Sequence, residues 1–510
     1  MFAMKHAYAF HATVFLLLGY PGAADLAIGA SPPFPKPNIL LIIADDLGYG
    51  DVQCLNPQRG RIPTPHLDRL ATQGMTFTDA HSGSSVCTPT RYGLLTGRYA
   101  WRTRLQAGVL DGGNDEPLIA ANRLTVAGFL QQQGYYTACI GKWHLGFRSD
   151  AQPVSSEDKK DFGSRGLPLG ARILGGPVTR GFDYFWGCSN ARTMSSVIEH
   201  DQVVEKLPPV EMLPQLIRRV VDQIGARAAD AKSGRPFFLY VPLTSPHTPI
   251  VPAPAWQGKS PLGPYGDFVM QTDAGVGSIL AALDEHDLAD ETLVLFTSDN
   301  GCSPQAGTTK LEAQGHFASA SYRGYKADIW EGGHRVPFFV RWPGRVQPGA
   351  HSDRLVCLTD FLATCADILS LSLPATAGED SVSFLPALTG VVGAAPRGAV
   401  VHHSIQGRFS LREGPWKLNF CAGSGGWSAP SDAAAGRQGL PQWQLYDLIA
   451  DPAETINLYD TKPEETVRLA AVLSQYITAG RSTPGPPCPN DVLVKSPFPP
   501  YEKTRKSSAQ

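Results

Sequence analysis

Two adjacent carboxylates, Asp45-Asp46, and the pair Asp299-Asn300 offer an all-oxygen ligand set. Such a set suits a hard cation, calcium or magnesium. Zinc would want His or Cys among its nearest ligands, so calcium is the more natural occupant. A solvated acidic turn at each place is the plainer alternative. Lys142, His144 and His247 supply an ammonium and two imidazoles for charge stabilisation and proton transfer. A further feature is Cys87-Thr-Pro-Thr-Arg91, followed by Tyr92-Gly-Leu-Leu-Thr-Gly97. Pro89 is placed to start a helix and Gly97 to end it. Cys87 would then sit at a helix N-terminus, where backbone N–H groups and the dipole favour an anion. Arg91, one turn later, can point a fixed positive charge back toward it. Taken alone, this cysteine reads as a structural residue or a thiolate nucleophile. Its spacing to Arg91 is too short for the phosphate-binding loop of cysteine phosphatases.

The elements that must position these groups are legible as apolar runs. Asn38 to Ala44 is continuously apolar after its first residue, the pattern of a strand buried on both faces. Tyr135 to Ile140, Pro236 to Val241 and Thr292 to Thr297 read as further core strands. Asp45-Asp46 follow the first of these, Lys142 and His144 the second, His247 the third, and Asp299-Asn300 the fourth. Between them, Thr64, Pro65 and Gly74 bracket a short helix, and Val269, Met270, Val276, Ile279, Leu280 and Leu283 recur at helical spacing. Strands alternating with helices predict an α/β fold with a large, mainly parallel sheet flanked by helices. In such sheets the ligand crevice lies outside the carboxyl ends of the strands, where all these polar groups fall. Any one of them could be a cap or a turn; four coincidences at strand ends favour a shared site.

Cys87-Thr-Pro-Thr-Arg91 with Leu95-Thr-Gly97 resembles the signature of the sulfatase family, in which the Cys of C-x-P-x-R is oxidised to formylglycine. The resemblance extends through Asn38 to Gly50, Gly141-Lys-Trp-His-Leu-Gly146, Ser245-Pro-His-Thr-Pro249, Ser298-Asp-Asn-Gly301 and Glu331-Gly-Gly-His-Arg-Val-Pro337, covering most of residues 38–370. Leu445 to Glu454 resembles the family's C-terminal domain, and the overall pattern is most similar to arylsulfatase A-like enzymes of the alkaline phosphatase superfamily. The resemblance implies one calcium ion held by Asp45, Asp46, Asp299 and Asn300, with formylglycine from Cys87 beside it. It implies further that one hydroxyl of the aldehyde hydrate attacks sulfur while Lys142 and the ion offset charge on the sulfuryl oxygens. Arg91 would steady the hydrate, and His247 and Lys326 would contact the sulfate. His247 would act as acid for the leaving oxygen, and His144 as the base that releases sulfate and restores the aldehyde. Lys326, in Arg323-Gly-Tyr-Lys-Ala-Asp328, has the plainer alternative of a surface lysine. His316 and His334 read as loop residues.

Composition is that of a soluble enzyme: among 510 residues, 43% are hydrophobic and 18% charged, with a net charge of -2. That balance provides no basic stripe for nucleic acid, so an anionic substrate must be captured locally. Residues 1–30 read as a secretory signal peptide, with Lys5, the apolar run Ala12 to Tyr20 and small residues through Ala27. An N-terminal anchor is the alternative, but the run is too short to span a bilayer, and no membrane span is expected elsewhere. A secreted or periplasmic location follows, and the absence of any Asn-x-Ser/Thr sequon favours a bacterial envelope or secreted protein over a glycosylated lysosomal one. Nine cysteines without a CxxC pair leave eight once Cys87 is set aside, with pairing undetermined. The expected organisation is a catalytic domain over 37–373, a smaller C-terminal α+β domain over 374–485, and a tail over 486–510 of disordered composition. Residues 149–176 read as a surface loop. The expected activity is hydrolysis of a sulfate monoester of a sugar or aryl alcohol, matured by a formylglycine-generating enzyme. A phosphonate or phosphate ester hydrolase and a non-catalytic carbohydrate-binding relative are the alternatives; the latter has no need of both His144 and His247.

Overall fold

The computed structural model describes residues 36–153, 166–391, 393, 395–495 and 497–498. The signal-like segment 1–30 lies outside them, as does the middle of the 149–176 loop. All eight residues of the strand Asn38–Asp45 are buried. It pairs in parallel with Phe237–Pro246 on one side and Thr292–Ser298 on the other. Parallel pairing continues through Tyr136–Lys142 to Tyr184–Cys188. These five strands are the middle of a ten-stranded sheet whose outer strands are mostly antiparallel. Apolar side chains form one core cluster on each face, with Ile39, Leu41 and Ile43 in one and Leu40, Ile42 and Ala44 in the other. This two-sided burial is why the strand reads as an unbroken apolar run.

Long helices cover one face, Pro209–Lys232 and Pro264–Glu285 packing on each other and on Phe237–Pro246. Pro65–Gln73 forms the expected short helix between Thr64 and Gly74. On the other side lies Cys87–Thr96, a helix buried at every position and closed by Gly97, whose φ of 63° gives a left-handed cap. A second sheet of four antiparallel strands spans Ala399–His403, Phe409–Glu413, Trp416–Asn419 and Gln444–Asp447, backed by the helix Pro463–Ala479. The expected α/β architecture with a small C-terminal α+β unit is therefore present. Phe384 and Leu388 still pack in the large core, so the small sheet begins only at Ala399. In the tail, Asn490 accepts a hydrogen bond from Arg102 at 3.0 Å and Asp491 pairs with Arg98 at 3.0 Å, tying this part of 486–510 to the large unit. All nine cysteines are unpaired.

The two units meet across buried charge. Lys417 of the small sheet lies 3.0 Å from Glu331 and 2.9 Å from Glu454. Beside it stand His81, His334 and His402, all with 0% exposure. His334 is thus no loop residue in solvent but the end of the short helix Glu331–His334. His316 is equally buried, bonded to Asp51 at 2.8 Å. His316 does stand on a loop, as expected, but an imidazole outside a strand or long helix carries no sequence signal of its burial. The three clustered imidazoles do not form a metal centre. His334 and His402 stack at 3.7 Å with an 11° interplanar angle, so their in-plane lone pairs cannot converge on one ion. Burial holds all three below the ordinary imidazole value. In the unfolded chain they take up protons below about pH 6.5. Acidification therefore favours the unfolded state, at up to about 1.4 kcal/mol per pH unit per site. Urea unfolding at pH 7.5 and pH 5.5 should show this loss, and His402→Gln should flatten it; an unchanged slope in the variant would contradict the assignment.

Candidate active site

The register of the central strands sets Asp45 against Pro246 and Ala44 against Ser298, so three strand ends finish at one level. Asp45, Asp46, Asp299 and Asn300 converge there, none more than 2% exposed. Asp299 Oδ1 accepts from the Asp46 backbone N–H at 3.2 Å, and Asn300 Nδ2 donates to Asp46 Oδ1 at 2.7 Å. Each carboxylate has a cation. Lys142, ending Tyr136–Lys142, donates to Asp45 at 2.7 Å. Lys326 donates to both oxygens of Asp46, at 2.5 and 2.7 Å, and Arg91 reaches Asp299 through Nη2 at 2.8 Å and Nε at 3.1 Å. The surface alternative for Lys326 is excluded: it is 5% exposed, with its backbone N–H on the Cys302 carbonyl at 2.9 Å.

The electrostatics follow from burial and these pairings. Burial alone would raise Asp45, but Lys142, His247, Arg91 and Lys326 together hold it well below the usual carboxylate range. Asp299 is pushed up to about 6 by burial and by the neighbouring Asp45 charge, despite Arg91. Burial also pushes the Cys87 thiol up, more than Lys142 and Lys326 lower it, so the thiolate is disfavoured. Cys87 opens its helix without a side-chain cap from Val86, which leaves first-turn N–H groups unclaimed by any cap.

A metal ion suits the residues present. Asp45 Oδ1 and Asn300 Oδ1 are buried without a hydrogen-bond partner, although uncompensated buried acceptors are costly. Ligand atoms of Asp45, Cys87 and Asp299 lie within 4.8 Å of one another, as do those of Asp45, Asp46 and His247. The oxygen-rich set matches a hard cation.

The two histidines differ in the nitrogen they leave free. His144 Nε2 lies 2.9 Å from the Leu110 carbonyl, which can only accept, so that nitrogen carries the proton. Its Nδ1 is buried without a partner and keeps its lone pair. Burial and the nearby Lys142 lower this imidazole well below its ordinary value. His247 directs Nδ1 at the Thr248 carbonyl, 2.5 Å away, which leaves Nε2 3.6 Å from Asp46. Burial draws it down to about 4. Asp46 and His144 adopt φ of 65° and 55°, left-handed conformations that cost a non-glycine residue about 1 kcal/mol or more. Such strain is typical of positions fixed for function.

These groups open onto a cavity of about 190 Å³ whose lining includes Cys87, Lys142, His144, His247 and Lys326. Arg91 lies behind it, bonded to the Lys142 carbonyl at 2.9 Å. All ten residues singled out in the sequence are thus brought together. The mouth is completed by residues that no motif marks: Asn190 and Arg192 from the 150–200 region, Gln305, and Ile405 and Trp427 from the small unit.

A parallel sheet delivering carboxylates, ammoniums and imidazoles to one buried cluster defines a hydrolase site for anionic esters. The chain belongs to the sulfatase family, whose profile matches residues 37–371. It is 32% identical to an N-acetylgalactosamine-6-O-sulfatase of Bacteroides thetaiotaomicron, over 87% of this chain and 93% of that protein. It is 33% identical to human arylsulfatase A over 90% of both. A solved sulfatase structure from work on glycosaminoglycan metabolism by Bacteroides thetaiotaomicron superposes with a TM-score of 0.74 at 30% identity, covering 86% of this chain and 99% of that one. The protein is a sulfatase that hydrolyses sulfate esters. Among the described residues no helix is long and apolar enough to cross a membrane.

Proposed function

We propose that this sulfatase cleaves a sulfate monoester of a sugar, using formylglycine made from Cys87 by a maturation enzyme and one calcium ion held by Asp45, Asp46, Asp299 and Asn300. The observation that carries this reading is the cavity floor, where Cys87 meets Lys142, Lys326, His144 and His247 above buried carboxylates. The sugar assignment draws on the relative named for N-acetylgalactosamine 6-O-sulfate hydrolysis. Export by way of residues 1–30 belongs to the same proposal.

When present, the ion supplies positive charge for the sulfuryl oxygens, and the hydrated aldehyde supplies a hydroxyl nucleophile stronger in this site than a disfavoured thiolate. Lys142 and Lys326, fixed by Asp45 and Asp46, direct N–H donors at the ester's anionic oxygens. Arg91 clamps Asp299 from behind the cavity and holds that carboxylate in place. His144 receives a proton at Nδ1, the nitrogen its Leu110 contact leaves free. His247 delivers a proton to the leaving oxygen from Nε2; the anionic ester entering beside it favours the charged imidazole that burial alone disfavours.

Matched sulfate and phosphate esters of one alcohol test the reaction class: sulfate should be turned over faster, and the opposite order would sink the proposal. The histidine roles predict a split. His247→Ala should lose on the order of 10²–10⁴-fold on a sugar sulfate and far less on nitrophenyl sulfate, whose alcohol leaves without a proton. His144→Ala should instead show a burst of about one equivalent of alcohol, then slow turnover. Equal losses on both esters without a burst would contradict this division.

A further inference from the structure

The small C-terminal unit contributes to the cavity an aromatic residue that the reaction chemistry leaves unused. Trp427 lines its mouth and is 49% exposed, so about half of its surface is open to a ligand. The loop beneath it is firmly held. The backbone N–H groups of Trp427 and Ser428 both donate to Asp328 Oδ1, at 2.9 and 3.0 Å. Gln406 Nε2 donates to the Gly426 carbonyl at 3.0 Å, and Ser404 Oγ to that of Gly425 at 2.6 Å. Gly426 presses so closely on the large unit that a Cβ there would come 2.4 Å from the Ala327 carbonyl oxygen. Asp328 is buried and only two residues beyond Lys326, so the anchor of this loop is continuous with the segment that positions a sulfate-facing ammonium.

A rigid backbone carrying a half-exposed indole at a cavity mouth is a preorganised binding surface, because the ordering is already complete before a ligand arrives. Around the same mouth stand the Gln305 amide and the half-exposed Arg192 guanidinium, the latter paired with Asp111. A flat apolar plane beside separate polar donors and acceptors complements a pyranose, which shows C–H bonds on one face and hydroxyls around its edge. We propose that Trp427 is the stacking platform for the substrate's sugar ring, so that the small unit completes a saccharide subsite across the mouth of the large unit's active site. The inference rests on the sulfated-sugar reading above and adds the residue that selects for the ring.

The test compares wild type, Trp427→Ala and Trp427→Phe on a panel of sulfated mono- and disaccharides and on 4-nitrophenyl sulfate. Losing an aromatic anchor should raise KM for the best saccharide about 10–100-fold. The kcat on that saccharide should stay within about 3-fold, and Trp427→Phe should recover most of the lost affinity. An unchanged saccharide KM in Trp427→Ala overturns the proposal, as does failure of Phe to recover. If wild type cleaves nitrophenyl sulfate but no sulfated saccharide, the sugar reading itself falls and takes the platform with it; wild type alone distinguishes that outcome.

Discussion

Replacing Cys87 with alanine should abolish turnover, by on the order of 10⁵–10⁶-fold, the scale at which enzymes lose their nucleophile. The reason is positional. Cys87 opens a wholly buried helix and lines the cavity together with Lys142 and Lys326, and among the described residues that line it no other carries a hydroxyl or thiol. Burial makes its own thiolate unfavourable, so an unmodified cysteine would be a poor nucleophile here. Active protein should therefore carry an aldehyde at this position, lighter than cysteine by the exchange of sulfur and two hydrogens for oxygen. Intact-mass analysis of the peptide containing residue 87 checks this directly. Fully active enzyme with an unmodified thiol would overturn the nucleophile assignment while leaving the fold and family untouched.

The second large effect is expected on metal removal. Exhaustive chelation should reduce kcat by about 10³-fold or more, since a Lewis acid contributes several kcal/mol to charge stabilisation. Calcium should restore the rate, and elemental analysis of the native protein should find about one ion per chain. Asp45→Asn should weaken both metal retention and activity, because it removes charge from the carboxylate with an unbonded buried oxygen. Binding should also be visible without catalysis. An ion that binds only the folded state raises the unfolding midpoint, and Asp45→Asn should lose that shift. Full activity in metal-free protein, with no stabilisation by added calcium, would refute the site.

Much of the active site is legible in the sequence because its framework is written in local patterns. Ile39 to Ala44 is apolar throughout because the strand is covered on both faces, and that burial leaves the next polar residues, Asp45 and Asp46, at its carboxyl end. The same logic placed Lys142, His247 and Asp299 at the ends of their strands. Pro89 and Gly97 located the Cys87 helix because proline and glycine act on the backbone of their own turn. Only the tertiary structure decided which charges meet. Lys142 finds Asp45 across 97 residues and Lys326 finds Asp46 across 280, and no periodicity encodes a contact at that separation. The protonated nitrogen of His144 depends on a carbonyl at Leu110, a group every residue possesses and no sequence marks. His334 and His402 stack on each other only because the two units close over them. No motif marks Trp427; its place at the cavity comes from Asp328, ninety-nine residues earlier, holding its backbone. Local patterning thus fixed the chemistry available at the strand ends. Tertiary packing decided the pairings, the tautomers and the shape of the mouth, because those depend on distances between segments that the chain order does not contain.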